Sequence, residues 1–581
     1  MDYQHTLKEV FGFNTFQKGQ EEIIKLIMNG KSAIALFSTS AGKSLCYQLP
    51  TVLLPGLTLV VSPLLSLMKD QSDYLNSINI PSGILDSTLN TNEVHQLMLD
   101  VINDRIKILF VSPERFKNMS FRRHISSTEV SLLVIDEAHC ISEWGHDFRP
   151  SYMKLPYYRI KLGIKRVLLL TATATQTVVQ DMATSFKIPK KNIIRVNKVR
   201  NNLYLGIKHI TNDKPFYLIE RLRQNPNEPT IIYVREKKQA EDLSIILKSR
   251  GLTVGCYHSD MPKKKRDEVQ DRFFRNELST VIATKGFGMG INKEDIRFIY
   301  HYNIPSSPEE YVQQTGRAGR DGNLSICEVL YSTDDAGYMR KILSNNCDDK
   351  LKSNICTFIS QFKNPGFEIN LTQCAKQLDM TESTLHTIMI YLEQLVIIRY
   401  GDVNSRNHEI RILSHEIDNL SDDERLFLNH LKTATPTFSQ WISINVYQIG
   451  KTLHMEPSDI LKVMDDLKAK DVIDLKFQQL IDTDNLEVLS FNIDRATEDI
   501  FNIFKKRADQ AVSRFNDLES ILTSGKCIKN QLDEYFGNKP TGKCGSCSVC
   551  TVLNSLSRVT FQLPLTSLIL YQNLNGQSLL P

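Results

Sequence analysis

The chain of 581 residues lacks a strong charge imbalance and lacks a long uninterrupted apolar run. Seventy lysines and arginines are opposed by sixty-six acidic residues, so the formal net charge is only +4. That excess does not indicate nucleic-acid binding, although a local basic groove is compatible with it. Hydrophobic residues make up 41% and charged residues 23%, which excludes wholesale disorder and collagen-like repetition. The length corresponds to about four compact domains.

Signals for secretion or membrane insertion are also missing. The first ten residues are polar and no apolar stretch follows them, so we expect no signal peptide. Residues 45–68 carry no charge, but Pro50, Pro55 and Pro63 interrupt them. The uncharged residues 559–581 contain Gln and Asn side chains that suit a bilayer poorly. We therefore expect a cytoplasmic protein without a membrane partner.

Short apolar runs alternate with helical patterns in two long stretches of the chain, which is typical of parallel sheets covered by helices on both faces. The predicted strands are 33–37, 57–61, 106–111, 132–135, 167–170, 230–234, 253–257, 280–283, 296–300 and 327–331. We place a domain boundary near residue 200, in a segment of mixed character. The predicted domains are a first lobe (1–200), a second lobe (201–340), a repeat region (341–500), a helical cysteine-containing module (501–552) and a tail without an assigned fold (553–581).

An internal repeat with an offset of 75 residues lies between residues 366 and 480. Residues 375–385 align with residues 450–460, and the match continues through the helical patterns that follow. Each copy predicts a short helix, a turn, an amphipathic helix and an apolar strand, which is the order of a winged helix-turn-helix. The alternative is two unrelated helical hairpins that share a generic spacing.

A candidate phosphate-binding loop follows the first predicted strand and opens a helix. Its small residues let backbone N–H groups approach phosphate oxygens, and the helix dipole adds to the attraction. Lys43 would reach the β- and γ-phosphates, and Ser44 would hold Mg²⁺. Phe37 stands where the general pattern has its first Gly. The residues expected to bind the nucleotide here are Thr39, Ser40, Ala41, Gly42, Lys43 and Ser44.

Two carboxylates follow the predicted strand 132–135. Asp136 is placed to bind Mg²⁺, and Glu137 is placed to activate the attacking water. A solvated strand end is the alternative for this pair, but the phosphate loop earlier in the chain favours the catalytic interpretation.

Two arginines lie close together in the segment 313–320. Arg317 and Arg320 could supply the positive charge that a transferring phosphoryl group requires. The alternative is a Gly/Arg-rich surface turn.

Eight motifs in residues 1–340 together resemble the RecQ family of ATP-dependent DNA helicases, of the DEAH-box type. The motifs are Phe11-Gly-Phe13 with Phe16 and Gly19-Gln20, Ser62–Gln71, Ser112–Arg115, Asp136–Ser142, Trp144–Pro150, Thr171–Thr175, Phe287–Lys293 and Thr315–Gly322. They occur in the order that the family shows. Four positions depart from its pattern: Gln17-Lys18 replaces Arg-Pro, Ser38 replaces Pro and Glu143 replaces Gln. None of these changes removes a group that hydrolysis needs.

The resemblance implies an α/β fold with two RecA-like parallel-sheet lobes, followed by winged-helix-like repeats and a small zinc-binding module. It implies that Gln20 reads adenine and that Arg317 and Arg320 face the γ-phosphate. The residues that the resemblance assigns to DNA binding and coupling are Trp144, Phe148, Arg149, Ser62 and Ser112. All nucleotide-binding groups lie within residues 1–340, so this part alone is expected to hydrolyse ATP.

Four of the eleven cysteines form a compact set that resembles the zinc module of the family. Cys527, Cys544, Cys547 and Cys550 suit a closed tetrahedral Zn²⁺ site, because three of them have two-residue spacing. Disulfides and an iron–sulfur cluster are the alternatives, and disulfides are rare in intracellular proteins. The other seven cysteines are scattered and are expected to be reduced. The module stands about two hundred residues later than in the common family arrangement, a layout that some short bacterial members resemble.

The resemblance implies an ATP- and Mg²⁺-dependent helicase that moves 3′→5′ on single-stranded DNA. It would unwind duplex or branched DNA in repair and recombination, in association with the chromosome. Two alternatives are a DEAH-type RNA-directed ATPase and a DNA-binding regulator whose ATPase has decayed. The presence of Lys43, Glu137 and both arginines argues against decay. No motif indicates a protein partner.

Overall fold

The structure is a computed structural model of the chain. It describes residues 3–38, 42–86, 89–142, 145, 148–196, 200–210, 213–287, 293–344, 347–362, 367–400, 407–413, 420–434, 441–470, 472–476, 483–489, 491–540 and 542–555. The chain divides into two compact units. One unit comprises 1–198, 289–291 and 340–513, and the other comprises 199–288, 292–339 and 514–581.

The first lobe, residues 3–196, is built on a seven-stranded parallel sheet with the strand order β3-β4-β2-β5-β6-β1-β7. Its strands are β1 (Ala33–Phe37), β2 (Leu57–Val61), β3 (Ser82–Leu85), β4 (Ile108–Val111), β5 (Val130–Ile135), β6 (Val167–Thr171) and β7 (Ile193–Val196). Its helices are α1 (Tyr3–Phe11), α2 (Gln20–Met28), α3 (Leu45–Leu53), α4 (Leu65–Ser77), α5 (Thr91–Ile102), α6 (Met119–Ser126), α7 (Pro150–Met153), α8 (Leu155–Lys161) and α9 (Gln176–Ser185).

Helices cover both faces of this sheet, which explains why its strands are continuous apolar runs. In β1, Ile34 packs into one core while Ala35 and Phe37 pack into the other, and all three side chains are fully buried. Side chains alternate between the two faces of a strand, so a strand covered on both faces needs apolar residues at every position.

The second lobe, residues 200–339, carries a six-stranded parallel sheet with the order β10-β11-β9-β12-β13-β8. Its strands are β8 (Leu203–His209), β9 (Thr230–Tyr233), β10 (Val254–Tyr257), β11 (Thr280–Ala283), β12 (Phe298–His301) and β13 (Ser325–Tyr331). Its helices are α10 (Lys214–Gln224), α11 (Lys237–Ser249), α12 (Lys263–Phe274), α13 (Pro308–Thr315) and α14 (Thr333–Ser344). Together the two sheets confirm the predicted α/β class.

Two winged-helix-like copies follow, and their elements repeat at the predicted offset of 75 residues. The first copy contains α15 (Asp349–Ile359), β14 (Phe367–Asn370), α16 (Leu371–Gln377), α17 (Glu382–Gln394), β15 (Ile398–Tyr400) and β16 (Asn407–Ile412). The second copy contains α18 (Asp422–Ala434), β17 (Ile442–Asn445), α19 (Val446–Leu453), α20 (Pro457–Ala469), β18 (Ile473–Lys476) and β19 (Thr483–Val488).

The two copies exchange their third strands. β16, from the first copy, lies between β17 and β18 of the second copy, and Ile410 is opposite both Ile442 and Leu475. In return, β19 lies between β14 and β15, with Val488 opposite Ile398. Each three-stranded sheet is therefore completed by a strand of the other copy, while the two copies keep separate cores.

The exchange makes a prediction about Ile410, which is fully buried in the core of the second copy. Ile410→Ala in the full chain should reduce hydrogen-exchange protection in α19 and α20 while leaving α16 and α17 protected. The expected cost is about 2–5 kcal/mol, as for other large-to-small core substitutions. Ile398→Ala is the matched control, because Ile398 is buried in the core of the first copy and should affect α16 and α17 instead. The opposite pattern would show that the strands are not exchanged.

The remaining helices are α21 (Ile493–Thr523), α22 (Ile528–Tyr535) and α23 (Ser548–Ser555). α22 and α23 belong to the cysteine module, which we define as residues 524–555. Most of the predicted C-terminal tail, from residue 556 onward, lies outside the described residues. Among the helices of the described residues, none combines the length and the apolar character that a membrane span requires.

Candidate nucleotide site and cysteine cluster

The predicted phosphate loop lies between β1 and α3 of the first lobe. Ser44 directly precedes α3, and Lys43 stands one residue before it. Gly42 has a φ of +64°, a left-handed conformation that favours glycine, and a Cβ atom there would lie 2.5 Å from Nε2 of Gln20. Thr39, Ser40 and Ala41 lie outside the described residues.

Gln20, predicted to read adenine, is buried at the start of α2 and contacts this loop directly. Its Nε2 donates to the carbonyl oxygen of Gly42 at 2.9 Å, and its Oε1 accepts from the main-chain N–H of Gln17 at 2.8 Å. Gln20 therefore connects the segment before α2 to the predicted phosphate loop.

The carboxylate pair lies immediately after β5. The main-chain N–H of Asp136 donates to the carbonyl of Val61 at 2.9 Å, which continues the ladder between β5 and β2. Glu137 has a φ of +47°, a conformation that is rare for a residue with a Cβ. Its Oε2 lies 3.3 Å from Nδ1 of His139, and the same nitrogen lies 2.8 Å from Oγ1 of Thr171 at the end of β6. The glutamate is thereby linked to the ends of two neighbouring strands.

The electrostatics of this pair fit a cation site. Burial raises the pKa of Asp136 to about 6, and the neighbouring negative charge of Glu137 adds to the effect. The positive charge of Lys43 acts in the opposite direction and lowers the pKa of Asp136. A divalent cation would relieve the repulsion between the two acids. The structure thus brings Lys43 and the predicted metal-binding carboxylate together in one lobe.

The motif Ser62–Gln71 packs on the helix that follows the phosphate loop. Oε1 of Gln71 accepts hydrogen bonds from Nε2 of Gln48 at 2.9 Å and from the hydroxyl of Tyr47 at 3.3 Å, both in α3. Ser62 is only 2% exposed, and its hydroxyl has no hydrogen-bond partner among the described residues. Ser112, by contrast, is partly exposed ahead of a 3₁₀ turn, Pro113–Lys117.

The predicted aromatic-rich loop is described in part. Trp144 lies outside the described residues, whereas Phe148 and Arg149 are half-buried. The guanidinium carbon of Arg507, from α21, lies 4.5 Å from the centre of the Phe148 ring. Nη1 of Arg149 approaches the carbonyl of Pro63 at 3.4 Å, so this loop contacts the segment after β2.

In the second lobe, both predicted arginines lie in a turn that follows α13. We call residues 316–322 the arginine turn. Gly319 has a φ of +55°, and a Cβ atom there would lie within 2.7 Å of three neighbouring atoms, so only glycine fits. Arg317 is 5% exposed. Burial lowers the pKa of Arg320 to about 10, and the positive charges of Arg317 and Arg200 contribute. Such crowding of guanidinium groups favours an anion beside them.

The four predicted zinc ligands converge in the cysteine module. The Sγ atoms of Cys527, Cys544, Cys547 and Cys550 all lie within 4.8 Å of one another, and the last two residues are fully buried. Four sulfurs around one Zn²⁺ lie about 3.8 Å apart, from Zn–S distances of about 2.3 Å, so the cluster fits that ion. A hydrogen bond from the thiol of Cys544 lowers the pKa of Cys547, as do the main-chain N–H groups of Cys550 and Ile528. All eleven cysteines of the chain are described, and none forms a disulfide.

Several contacts around these sites involve residues to which the sequence assigns no role. His139 and Thr171 lie within the motifs Asp136–Ser142 and Thr171–Thr175, so the sequence could have indicated a role for both residues. Arg200 and Arg507 lie outside the eight motifs, and nothing in their sequence surroundings marks them.

Two family models match the chain. The model "DEAD/DEAH box helicase" matches residues 17–182, and the model "Helicase conserved C-terminal domain" matches residues 213–322. These matches fall on the two lobes described above. The two lobes and the two models place the chain in the helicase class.

Curated relatives specify the family. "ATP-dependent DNA helicase RecQ" of Bacillus subtilis is 38% identical over 59% of this chain and 58% of its own length. "Probable ATP-dependent DNA helicase RecS" of Bacillus subtilis is 40% identical over 58% of this chain and 69% of its own length. "ATP-dependent DNA helicase Q-like 5" of Arabidopsis thaliana is 37% identical over 67% of this chain and 44% of its own length. The chain belongs to the RecQ family of ATP-dependent DNA helicases.

The chain spans only 44% of the length of the Arabidopsis thaliana relative and 58% of the length of the Bacillus subtilis RecQ relative, about half of each. ATP and Mg²⁺ are the cofactors expected of this family, and the cysteine cluster is compatible with zinc.

Proposed function

We propose that the chain is an ATP- and Mg²⁺-dependent helicase that moves 3′→5′ on single-stranded DNA and unwinds duplex or branched DNA in repair and recombination. The observation that carries this proposal is the carboxylate pair after β5. Glu137 contacts Nδ1 of His139, which also contacts the hydroxyl of Thr171, and the charge of Lys43 favours the ionised form of Asp136. This combination is what hydrolysis of a nucleoside triphosphate needs.

In the proposed reaction Lys43 binds the β- and γ-phosphates, while Ser44 and Asp136 hold Mg²⁺. When bound, the ion neutralises charge that develops on the phosphate oxygens. Glu137 accepts the proton of the attacking water. Its left-handed backbone and its contact with His139 fix the direction of the carboxylate. Gln20 would contribute to adenine binding from its position against Gly42.

The arginine turn would supply the remaining positive charge. We propose that Arg317 and Arg320 stabilise the phosphoryl group during transfer. The lowered pKa of Arg320 supports this role, because the crowded cations gain most when an anion binds.

We propose that the DNA contacts involve Trp144, Phe148, Arg149, Ser62 and Ser112. Arg507 covers the Phe148 ring, and a base could stack on the opposite face. Arg149 has the charge to contact a phosphate. Because Ser62 is buried, we propose that it contributes through its main chain, whose N–H donates to the carbonyl of Val111 at 3.1 Å and fixes the start of the loop after β2.

The proposal also includes a cellular location and a structural zinc ion. A helicase with these DNA contacts would act on the chromosome in the cytoplasm, and Zn²⁺ would maintain the cysteine module. The partners we propose are single-stranded and branched DNA.

The proposal is tested by ATP hydrolysis and strand separation on matched substrates. Single-stranded DNA should stimulate hydrolysis several-fold, and a duplex with a 3′ tail should be unwound while the same duplex with a 5′ tail should not. A non-hydrolysable ATP analogue is the control for passive melting. Unwinding of the 5′-tailed duplex alone would contradict the polarity. Stimulation by RNA rather than DNA would favour an RNA-directed ATPase, and DNA binding without hydrolysis would favour a regulator.

A further inference from the structure

One guanidinium group from outside the helicase motifs binds the arginine turn at three carbonyl groups, and the amide of Asn202 also donates to one of them, that of Gly319, at 2.7 Å. Nη1 of Arg200 donates to the carbonyl of Gly316 at 2.9 Å. Its Nη2 donates to the carbonyls of Ala318 and Gly319, each at 2.5 Å. Three carbonyl groups from four consecutive residues thus converge on one side chain. Because these residues flank Arg317, the contacts determine where that arginine points.

Arg200 is itself held by the cysteine module. Nζ of Lys529 donates to the carbonyl of Arg200 at 3.0 Å and to the hydroxyl of Ser546, inside the cysteine cluster, at 2.6 Å. The carbonyl of Ser546 accepts from the main-chain N–H of Leu205 in β8 at 3.1 Å. The cluster and the arginine turn are therefore joined through one lysine and one arginine.

The cysteine module also contacts the other end of α13. The hydroxyl of Tyr535, in α22, lies 2.8 Å from Oε1 of Glu309, which is only 3% exposed in the first turn of α13. The module thus contacts the first turn of α13 through Tyr535, and it contacts Arg200, which binds the arginine turn after α13, through Lys529.

The guanidinium group of Arg200 donates to main-chain carbonyl groups, so we do not assign it to phosphate binding. Its positive charge contributes to the lowered pKa of Arg320, while its N–H groups donate to the carbonyls of Ala318 and Gly319. A charged donor that binds several main-chain carbonyls fixes the geometry of a turn, since each such bond is stronger than a neutral one.

We propose that Arg200 is a positioning residue for Arg317 and Arg320, and that Lys529 connects this function to the cysteine module. The inference rests on the proposed function, because it assumes that the arginine turn acts on the transferring phosphoryl group. Disturbing Arg200 would then impair the transition state while leaving ATP binding by the first lobe unchanged. A displacement of about 1 Å in such a group can lower a rate about 10²-fold.

The test compares Arg200→Ala, Arg200→Lys and Lys529→Met in the full chain, with kcat and KM for ATP, zinc content and binding of ADP–aluminium fluoride as readouts. Arg200→Ala should lower kcat about 10- to 10²-fold, with little change in KM and with zinc retained. It should also weaken ADP–aluminium fluoride binding but not ADP binding, because only the former mimics the transferring group. Arg200→Lys should fall between wild type and Arg200→Ala, since it keeps the charge but not the planar fork. Lys529→Met should lower kcat less.

Arg223→Ala is the matched control, because this exposed arginine also donates to a carbonyl, that of Arg250, and should leave kcat unchanged. Wild-type kcat in Arg200→Ala, alongside an inactive Arg317→Ala, would overturn this inference while preserving the proposed function. Full activity in Arg317→Ala would instead contradict the proposed function. If Arg200→Ala does not fold, Arg200→Lys decides: a wild-type kcat there overturns the inference, and a reduced kcat with unchanged KM supports it.

Discussion

Glu137→Gln should stop ATP turnover while leaving ATP bound. The substitution keeps the shape of the side chain but removes the base that accepts the proton of the attacking water. Loss of a positioned general base lowers a rate by about 10²–10⁴-fold. The amide should preserve the contact with His139, whose Nδ1 lies 3.3 Å from the carboxylate, so the local fold should be unchanged. Steady-state hydrolysis and binding of a fluorescent ATP analogue measure the two effects separately.

Lys43→Ala should give a different failure at the same site. It removes the charge that contacts the phosphates and that also stabilises ionised Asp136, so both nucleotide affinity and turnover should fall. Glu129→Gln and Lys31→Ala are matched controls, because these residues are exposed and lie outside the site. Near-normal turnover in Glu137→Gln would show that the hydrolytic site has been placed wrongly.

Buried strands were predictable from the sequence, whereas three edge strands were not. The central strands of both sheets are covered on both faces and therefore appear as apolar runs. By contrast, β3 and β7 are the two edges of the first sheet, and β8 is one edge of the second. Edge strands have fewer neighbours and tolerate polar residues such as Ser82, Arg195 and Lys208. Their composition therefore gave no continuous apolar signal.

The repeat was predictable, but the exchange of strands within it was not. A 75-residue offset follows from the side-chain pattern, because each copy needs the same buried positions. Pairing is a different property, since β16 and β19 occupy equivalent positions and each could complete either sheet. Sequence periodicity identifies the face that a strand buries, and it does not identify the partner strand.

Within the candidate site, residues in short motifs were predictable from the sequence, whereas contacts between distant residues were not. Lys43, Ser44, Asp136 and Glu137 lie in short motifs whose chemistry is visible in the residues themselves. The contacts of Lys529 join residues more than three hundred positions apart, so no motif reveals them.

The contact between Lys529 and Arg200 also changes the activity that we expect of residues 1–340 alone. That segment contains every nucleotide group but not Lys529, so it should hydrolyse ATP more slowly than the full chain.

Cys547→Ser should remove the zinc and unfold the cysteine module. Cys547 is fully buried, and its Sγ lies within 4.8 Å of each of the other three sulfurs. Structural Zn²⁺ contributes its binding free energy to folding, about 10–16 kcal/mol in small zinc domains, and a serine cannot replace a thiolate ligand. Elemental analysis should therefore show one Zn²⁺ per wild-type chain and none in the variant. Limited proteolysis should then cleave residues 524–555.

The Cys547→Ser variant also tests whether the zinc site affects ATP turnover in addition to the fold of the cysteine module. Because Lys529 and Tyr535 connect the module to Arg200 and to α13, loss of zinc should also lower kcat for ATP. Cys356→Ser is the matched control, since this partly exposed thiol lies in α15 and outside the cluster, and it should retain zinc, protease resistance and activity. Iron in place of zinc in the wild-type chain would contradict the assignment of the metal. A Cys547→Ser chain without metal that remains folded and fully active would show that the cluster supports neither the module nor the arginine turn.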